Sequence, residues 1–568
     1  MNTNASEPAI HATRDDGKAF PRLTDDQVAR AARFGEVETL PSGTVIFQRG
    51  ETKVDFFIVL RGRVEIYDDG VCDEDGTPTV IHVHREHGFT GELDLFSGRK
   101  ILVSGRLATD DGQPGQVLRV PRQVFARLMS AEPDVGDVVL RAFILRRLGL
   151  IDNAQGGVLL IGLRGAGETL RLERFLRRNG YPLRVLHIDD ADTKAEANEV
   201  LAERDMTDAA LPVLVCSETH TLSRPSIAQV GECLGLTESP EPGLTYDVAV
   251  VGAGPAGLAA SVYAASEGLR TLVIEGEAPG GQAGTSSRIE NYLGFPTGVS
   301  GWELAARAEH QAQKFGATLL VPRRAERLER SDAGGYLLHL DRGAPVRART
   351  IVIACGARWR TLDLQDYEKF ENNGIHYAAT AIEADACRDK KVVVIGGGNS
   401  AGQAAVFLSG RASCVHMLVR REGLAASMSD YLVQRIEASD KINLLCNTRV
   451  TGLEGDDRLE RITWQTGDDT PTTHDIQHLF PMIGAMPNSD WLDGVIERDD
   501  RGFIKTGSAI TSPTGNRPPH ALETSLPGVF AVGDIRDASV KRVASAVGEG
   551  SVCIQDVHNV LAEQATHR

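Results

Sequence analysis

The residues with the clearest chemical meaning lie in the second half of the chain, where two glycine-rich turns each follow an apolar run. The first is VVGAGPAGLAA, Val250 to Ala260, which holds Gly252, Gly254 and Gly257 at the spacing of a dinucleotide-binding turn. Residues without Cβ let the strand turn, let backbone approach a pyrophosphate, and let helix pack closely on strand. The helix N-terminus then faces the negative charge. The next apolar run, TLVIEG, ends at Glu275, an acid placed for ribose hydroxyls. The second turn, VVVIGGGNSAGQAA from Val392 to Ala405, supplies Gly396, Gly398, Asn399 and Ser400. Its following run, CVHMLVRRE, ends in Arg420 and Arg421 instead of an acid. Two cations there suit the 2′-phosphate of NADP, which a carboxylate would repel. A third run, PGVFAVGDIRD, brings Gly533 and Asp534 toward the ribityl and phosphate groups of FAD. The expected cofactors are therefore FAD and NADPH, with hydride passing from nicotinamide to flavin.

These turns need a large scaffold, and 568 residues is too long for one core. A polar tail over 1–20, expected to be disordered, precedes short β-like runs (TVIFQRG, FFIVLRGRVEIY, TVIHVH, ILVSGRL, VLRVP) and a helical stretch from Val124, which together predict an all-β roll over 21–150. Strand and helix alternate over 155–236, predicting a small α/β domain. A proline- and glutamate-rich linker follows at 237–245. The motifs at Gly252 and Gly533 bracket the second glycine turn, so an NAD(P)H-binding domain (371–486) is inserted between two parts (246–370 and 487–568) of an FAD-binding domain. Both are expected as three-layer α/β folds.

A formal net charge of −17 opposes non-specific nucleic-acid binding. No apolar run is long enough to span a bilayer and no signal-peptide core opens the chain, so a cytoplasmic protein without membrane contact is expected. The eight cysteines include no CxxC, and they read as scattered core residues. His82 and His84 share a strand face but read as strand residues entering a turn, and no metal site is expected.

The order GAGPAG, GGQ (Gly280 to Gln282), IENYLGFP (Ile289 to Pro296), GGGNSA and GVFAVGD resembles low-molecular-weight thioredoxin reductase from Tyr246 onward. The resemblance implies a homodimer whose NADPH domain swings relative to the FAD domain, with Gly281, Gln282 and Asn291 lining the flavin. Where that family carries CATC, this chain has Ala378 and Ala381 at the cysteine positions, and alanine has no sulfur to exchange electrons. The family's HRRxxxR signature reads Val419-Arg420-Arg421 with Ala425 at the last arginine. Its flavin-side RQA reads Lys541-Arg542-Val543.

In the front half, FFIVLRGRVEIY and GELDLF resemble the cyclic-nucleotide-binding domain of catabolite-activator-like proteins. The resemblance implies a cyclic nucleotide held by Glu92, but at the family's spacing no arginine meets the phosphate. Arg99 or Arg106 would have to substitute. Residues 157 to 236 resemble a thioredoxin or glutaredoxin domain, with Leu211-Pro212 at the cis-proline position. Arg164 to Glu168 stand where the redox CxxC would be, which favours a spacer or adaptor role.

Three readings follow. The chain is an NADPH-dependent FAD oxidoreductase that passes electrons to an unidentified acceptor under regulation through the N-terminal domain, with no side chain expected to react itself. It is instead a flavin-based sensor with little turnover. Or it reduces thioredoxin through distant cysteines such as Cys387, or works as the ferredoxin–NADP reductases do, which share the scaffold and lack the dithiol.

Overall fold

The computed structural model describes residues 16–566 apart from 53, 73–76, 92, 97–98, 154–156, 165, 218–219, 237–239, 242, 287–288, 290–291, 333, 366, 372, 378, 380, 425–427, 457 and 515–516. Glu92, Asn291, Ala378 and Ala425 lie outside the described residues.

The front of the chain forms two antiparallel sheets facing one another. One orders Glu36–Leu40, Gly115–Val120 and Phe56–Arg61; the other orders Val45–Phe47, Ser104–Ala108, Arg63–Cys72 and Pro78–His84. The strand Glu36–Leu40 went unread in the sequence because EVETL carries two glutamates and none of its residues is fully buried. The predicted helical stretch is two helices, Arg122–Ala131 and Pro133–Asp152, since proline at the start of the second cannot continue the first. Residues 16–20 depart from the expected disordered tail. Asp16–Ala19 is helical, Phe20 stacks on His82 with ring centroids 3.6 Å apart, and Arg146 Nε donates to Ala19 O at 2.9 Å.

The middle module has the strand order His220–Ser223, Val213–Ser217, Val158–Gly162, Leu183–His187. Val158–Gly162 runs parallel to Leu183–His187 and antiparallel to Val213–Ser217, and the Leu211-Pro212 bond is cis. One reading of the cysteines is overturned here. Cys216 and Cys233 are joined by a disulfide, because the strand ending at Ser217 and the helix Ile227–Cys233 pack side by side.

Two sheets with parallel centres organise the back half; the antiparallel strands Ala325–Arg330 and Tyr336–Leu340 extend the first, and an antiparallel sheet of Thr448–Glu454, Arg461–Thr466 and Thr472–Asp475 lies in the inserted unit. Thr245–Val251 lies between Thr271–Ile274 and Val346–Ile353, parallel to both, and Val529–Ala531 joins the far edge of Val346–Ile353. Alternate residues feed opposite faces: Val248 and Val250 enter the core against the helices Pro255–Ser266 and Val543–Thr566, while Ala249 and Val251 enter the other. The second sheet orders Ile442–Leu445, Cys414–Leu418, Lys391–Ile395 and Leu479–Pro481. The chain leaves and re-enters the first unit through Ala357–Trp359 and Ala485–Pro487, which pair antiparallel. The second dinucleotide unit is thus inserted in the first. No helix among the described residues is long and apolar enough to cross a membrane.

Candidate functional site

The first glycine turn is built by crowding at two of its glycines and space at the third. A Cβ on Gly252, whose φ is +104°, would lie 2.4 Å from Ala354 O. One on Gly257 would lie 1.8 Å from Gly252 O, so the helix Pro255–Ser266 can approach the strand only with glycine there. A Cβ on Gly254 would meet nothing nearer than Gly281 Cα at 3.9 Å. Gly254 is the N-cap residue and caps that helix without a side-chain hydrogen bond, so the open space lies where backbone N–H groups point.

The loop carrying GGQ forms a wall of this space. Gly280 N–H donates to Ala253 O at 2.7 Å, and a Cβ on Gly281 would lie 3.1 Å from Gly254 Cα. Gln282 Nε2 donates to Ala357 O. Glu275 ties the end of its strand to the turn, its carboxylate accepting from Ala253 N–H at 2.8 Å and Glu277 N–H at 2.9 Å. Burial pushes this carboxyl above its ordinary value although both amides pull the other way. Each oxygen keeps a lone pair for a hydroxyl donor.

The third element closes the same region. A Cβ on Gly533 would lie 2.9 Å from Ala256 Cβ, and Gly533 N–H donates to Glu549 Oε2 at 2.7 Å. Glu549, which no sequence signal marked, also pairs with Arg536 at 2.5 Å. Burial raises the Asp534 carboxyl. Lys541 Nζ donates to Asp534 O at 2.5 Å and lies 4.5 Å from the Phe503 ring centroid. Arg542 is exposed, and its carbonyl accepts from Ala546 N–H in the first turn of the helix that begins at Val543.

At the second turn a Cβ on Gly396 would lie 2.3 Å from Met482 O, and Gly398 is the N-cap residue of the helix Asn399–Ser409. Asn399 Oδ1 accepts from Ser429 N–H at 2.8 Å and from its hydroxyl at 3.1 Å, so this side chain pins a neighbouring segment. Ser400 is exposed. Arg420 and Arg421 are exposed just past Cys414–Leu418, whose Leu418 pairs with Ile395 beside the glycines.

In the β-roll the two arginines weighed for a cyclic phosphate are both engaged by protein. Arg99 Nη2 donates to Glu309 at 2.8 Å and Nη1 to Asn179 O at 3.3 Å. Arg106 Nε donates to Glu65 at 2.8 Å. Although burial works against it, Arg106 and Arg63 hold the Glu65 carboxyl below its ordinary value.

Sequence reasoning also missed Arg178 and Asn179 at the end of the helix Gly167–Arg178. They bind the GGQ loop from the middle module. Nothing in a surface-helix arginine announces such a role.

Known proteins match both halves. Residues 37–132 match the cyclic nucleotide-binding domain family. A thioredoxin reductase of Mycolicibacterium smegmatis is 34% identical over 323 residues, covering 56% of this chain and 97% of that protein. An NADH dehydrogenase of Ferdinandcohnia aciditolerans is 31% identical over 322 residues, covering 56% of this chain but 58% of its own length. The crystal structure of Lactococcus lactis thioredoxin reductase in its FR conformation has a TM-score of 0.49 and 26% identity, over 56% of this chain and 100% of that one. With residues 246–550, more than half of the chain, matching the pyridine nucleotide-disulphide oxidoreductase family, this protein belongs to that family and is an oxidoreductase of FAD and a pyridine nucleotide.

Proposed function

We propose that the protein carries reducing equivalents from NADPH through FAD to an acceptor other than a disulfide of its own catalytic half. The observation that carries the reading is the cradle at Gly254: a helix N-terminus, a neighbouring glycine wall at Gly281, and room that a single Cβ would begin to fill. The residues present fit a dinucleotide. Gly252, Gly254 and Gly257 would hold the pyrophosphate, Glu275 a ribose, and Gly533 with Asp534 the ribityl side. When bound, FAD supplies a ring that accepts hydride from reduced nicotinamide and releases electrons onward. Arg420 and Arg421, exposed at the end of the strand beside the second turn, support NADPH over NADH.

An internal sulfur relay is disfavoured by chemistry at three positions. The resemblance sets Ala378 and Ala381 where thioredoxin reductase has its dithiol. Cys387 is fully buried among apolar side chains, and burial pushes its thiol up to about 12, so it holds no thiolate near neutrality.

The test is anaerobic addition of NADPH, and separately NADH, to the FAD-loaded full chain. A quinone, oxygen or an oxidised thioredoxin is then offered in turn. Bleaching of the flavin band faster with NADPH, and repeated reoxidation by one acceptor at a rate unchanged in Cys387→Ser, is the expected result. A protein that takes up no flavin, or whose flavin does not bleach, ends the reading.

A further inference from the structure

The middle module touches the flavin site through an arginine and the asparagine that follows it. Arg178, the last residue of the helix Gly167–Arg178, sends Nη2 to Gly281 O at 3.0 Å and Ala278 O at 3.4 Å, while Nη1 pairs with Glu277 at 3.4 Å. Its neighbour Asn179, 4% exposed, donates from Nδ2 to Glu277 O at 3.1 Å and to Phe175 O at 2.8 Å. The segment 277–281 thus receives a guanidinium and an amide from a module that neither family match covers. That segment is not remote from the cradle: Gly280 N–H bonds Ala253 O, and Gly281 abuts Gly254.

We propose that Arg178 is a positioning residue for the flavin site, carried into it by the middle module, and that this clamp is what the module contributes to that site. Gly281 carries a positive φ of 53° and no side chain, so the loop has little of its own to fix where its amides point. A charged donor on its carbonyls supplies that constraint, and hydrogen bonds to charged groups are the stronger kind. The clamp also meets the front of the molecule, through the residue after the arginine. Asn179 O is an acceptor for Arg99 of the β-roll, which places β-roll, clamp and flavin loop in one run of hydrogen bonds.

The inference rests on the reading that this cradle holds FAD, and the experiment separates the two. FAD is titrated into the FAD-free full chain, unsubstituted and as Arg178→Ala, Arg178→Gln, Arg178→Lys and Arg177→Ala. Arg177 lies on the same helix, pairs with Glu173 at 2.9 Å, and serves as the control. Arg178→Ala is expected to weaken FAD binding about ten-fold or more and to change the shape of the visible flavin band. Arg178→Lys recovers most of the affinity, and melting of the FAD-free protein moves no further than in Arg177→Ala. Should Arg178→Ala be insoluble, the glutamine variant carries the same expectation with a smaller loss. Affinity and band shape unchanged in the soluble alanine or glutamine variant would overturn the clamp alone. No FAD uptake by the unsubstituted chain removes the clamp together with the function it rests on.

Discussion

The glycine turn at 252–257 and the β-roll loop around Arg99 both carry residue types that grip phosphate, and they use them in opposite ways. At Gly254, the N-cap of its helix, a Cβ would meet no protein atom closer than Gly281 Cα at 3.9 Å. In the β-roll, Arg99 and Arg106 already sit on Glu309 and Glu65. One loop leaves its donors facing outward, and the other has turned its cations inward on the protein's own carboxylates. The lesson concerns capacity. A residue type marks a ligand site only when some of its hydrogen-bonding valence is left over after folding.

The sharpest way to break the comparison is inside the glycine turn. Gly257→Ala puts a methyl 1.8 Å from Gly252 O, and neither backbone atom can yield without moving the strand or the helix. The expected cost is about 3 kcal/mol or more, seen as loss of soluble, FAD-binding protein. Gly254→Ala meets no protein atom closer than 3.9 Å, and its φ of −72° is ordinary for alanine. That variant is expected to melt within about 0.5 kcal/mol of the unsubstituted protein. It loses on the order of ten- to a hundred-fold in FAD affinity, as the methyl overpacks the bound phosphate. Equal FAD affinity in Gly254→Ala and unsubstituted protein would show that the space is not a binding cradle.

The difference between these glycines was only half legible in the sequence. Spacing alone located Gly252, Gly254 and Gly257, because a turn between strand and helix is a local event. Gly257 is crowded by Gly252 O within the turn itself, but the crowding of Gly252 and the space at Gly254 depend on Ala354 and Gly281, outside it. The inserted unit was legible for a similar reason, since the order of the motifs dictates it. Arg99 shows the opposite case: its partner Glu309 lies in another domain, and no local pattern announces the pairing. Cys216 and Cys233 were likewise unreadable as a pair, being separated by 17 residues and brought together by the module's fold.

Arg99 offers the next test. Its carboxylate partner Glu309 is 9% exposed, so Arg99→Ala leaves a buried charge with its cation removed. A loss of about 3 kcal/mol is expected in denaturant unfolding. Replacing both, as Arg99→Met with Glu309→Leu, should recover most of it, because an ion pair in such a place gains little over apolar packing. A cyclic nucleotide that stabilised the unsubstituted protein but not Arg99→Ala would reverse the comparison, by showing that this arginine leaves Glu309 for a ligand.

The smallest effect concerns how firmly the β-roll is closed by its own side chains. Burial, then the nearby Arg146 charge, holds the His82 ring down at about 4, and the buried His84 beside it is lowered for the same reasons and by His82 itself. Phe20 covers His82 in a stacked contact. Because the folded value lies below the ordinary 6.5, the unfolded chain binds the extra proton between those two pH values. Stability is therefore complete above about pH 6.5, falls as pH drops toward 4, and levels off for this group below that. Allowing for partial solvent access, His82 accounts for about 2 kcal/mol of the fall. Other buried histidines, His376 and His478 among them, titrate in the same direction, so the total curve alone does not isolate it. The measurement is the difference between the pH–stability curves of the unsubstituted protein and His82→Gln. The variant should lose less on acidification, and parallel curves would mean that the β-roll is not held shut by a neutral His82 under Phe20.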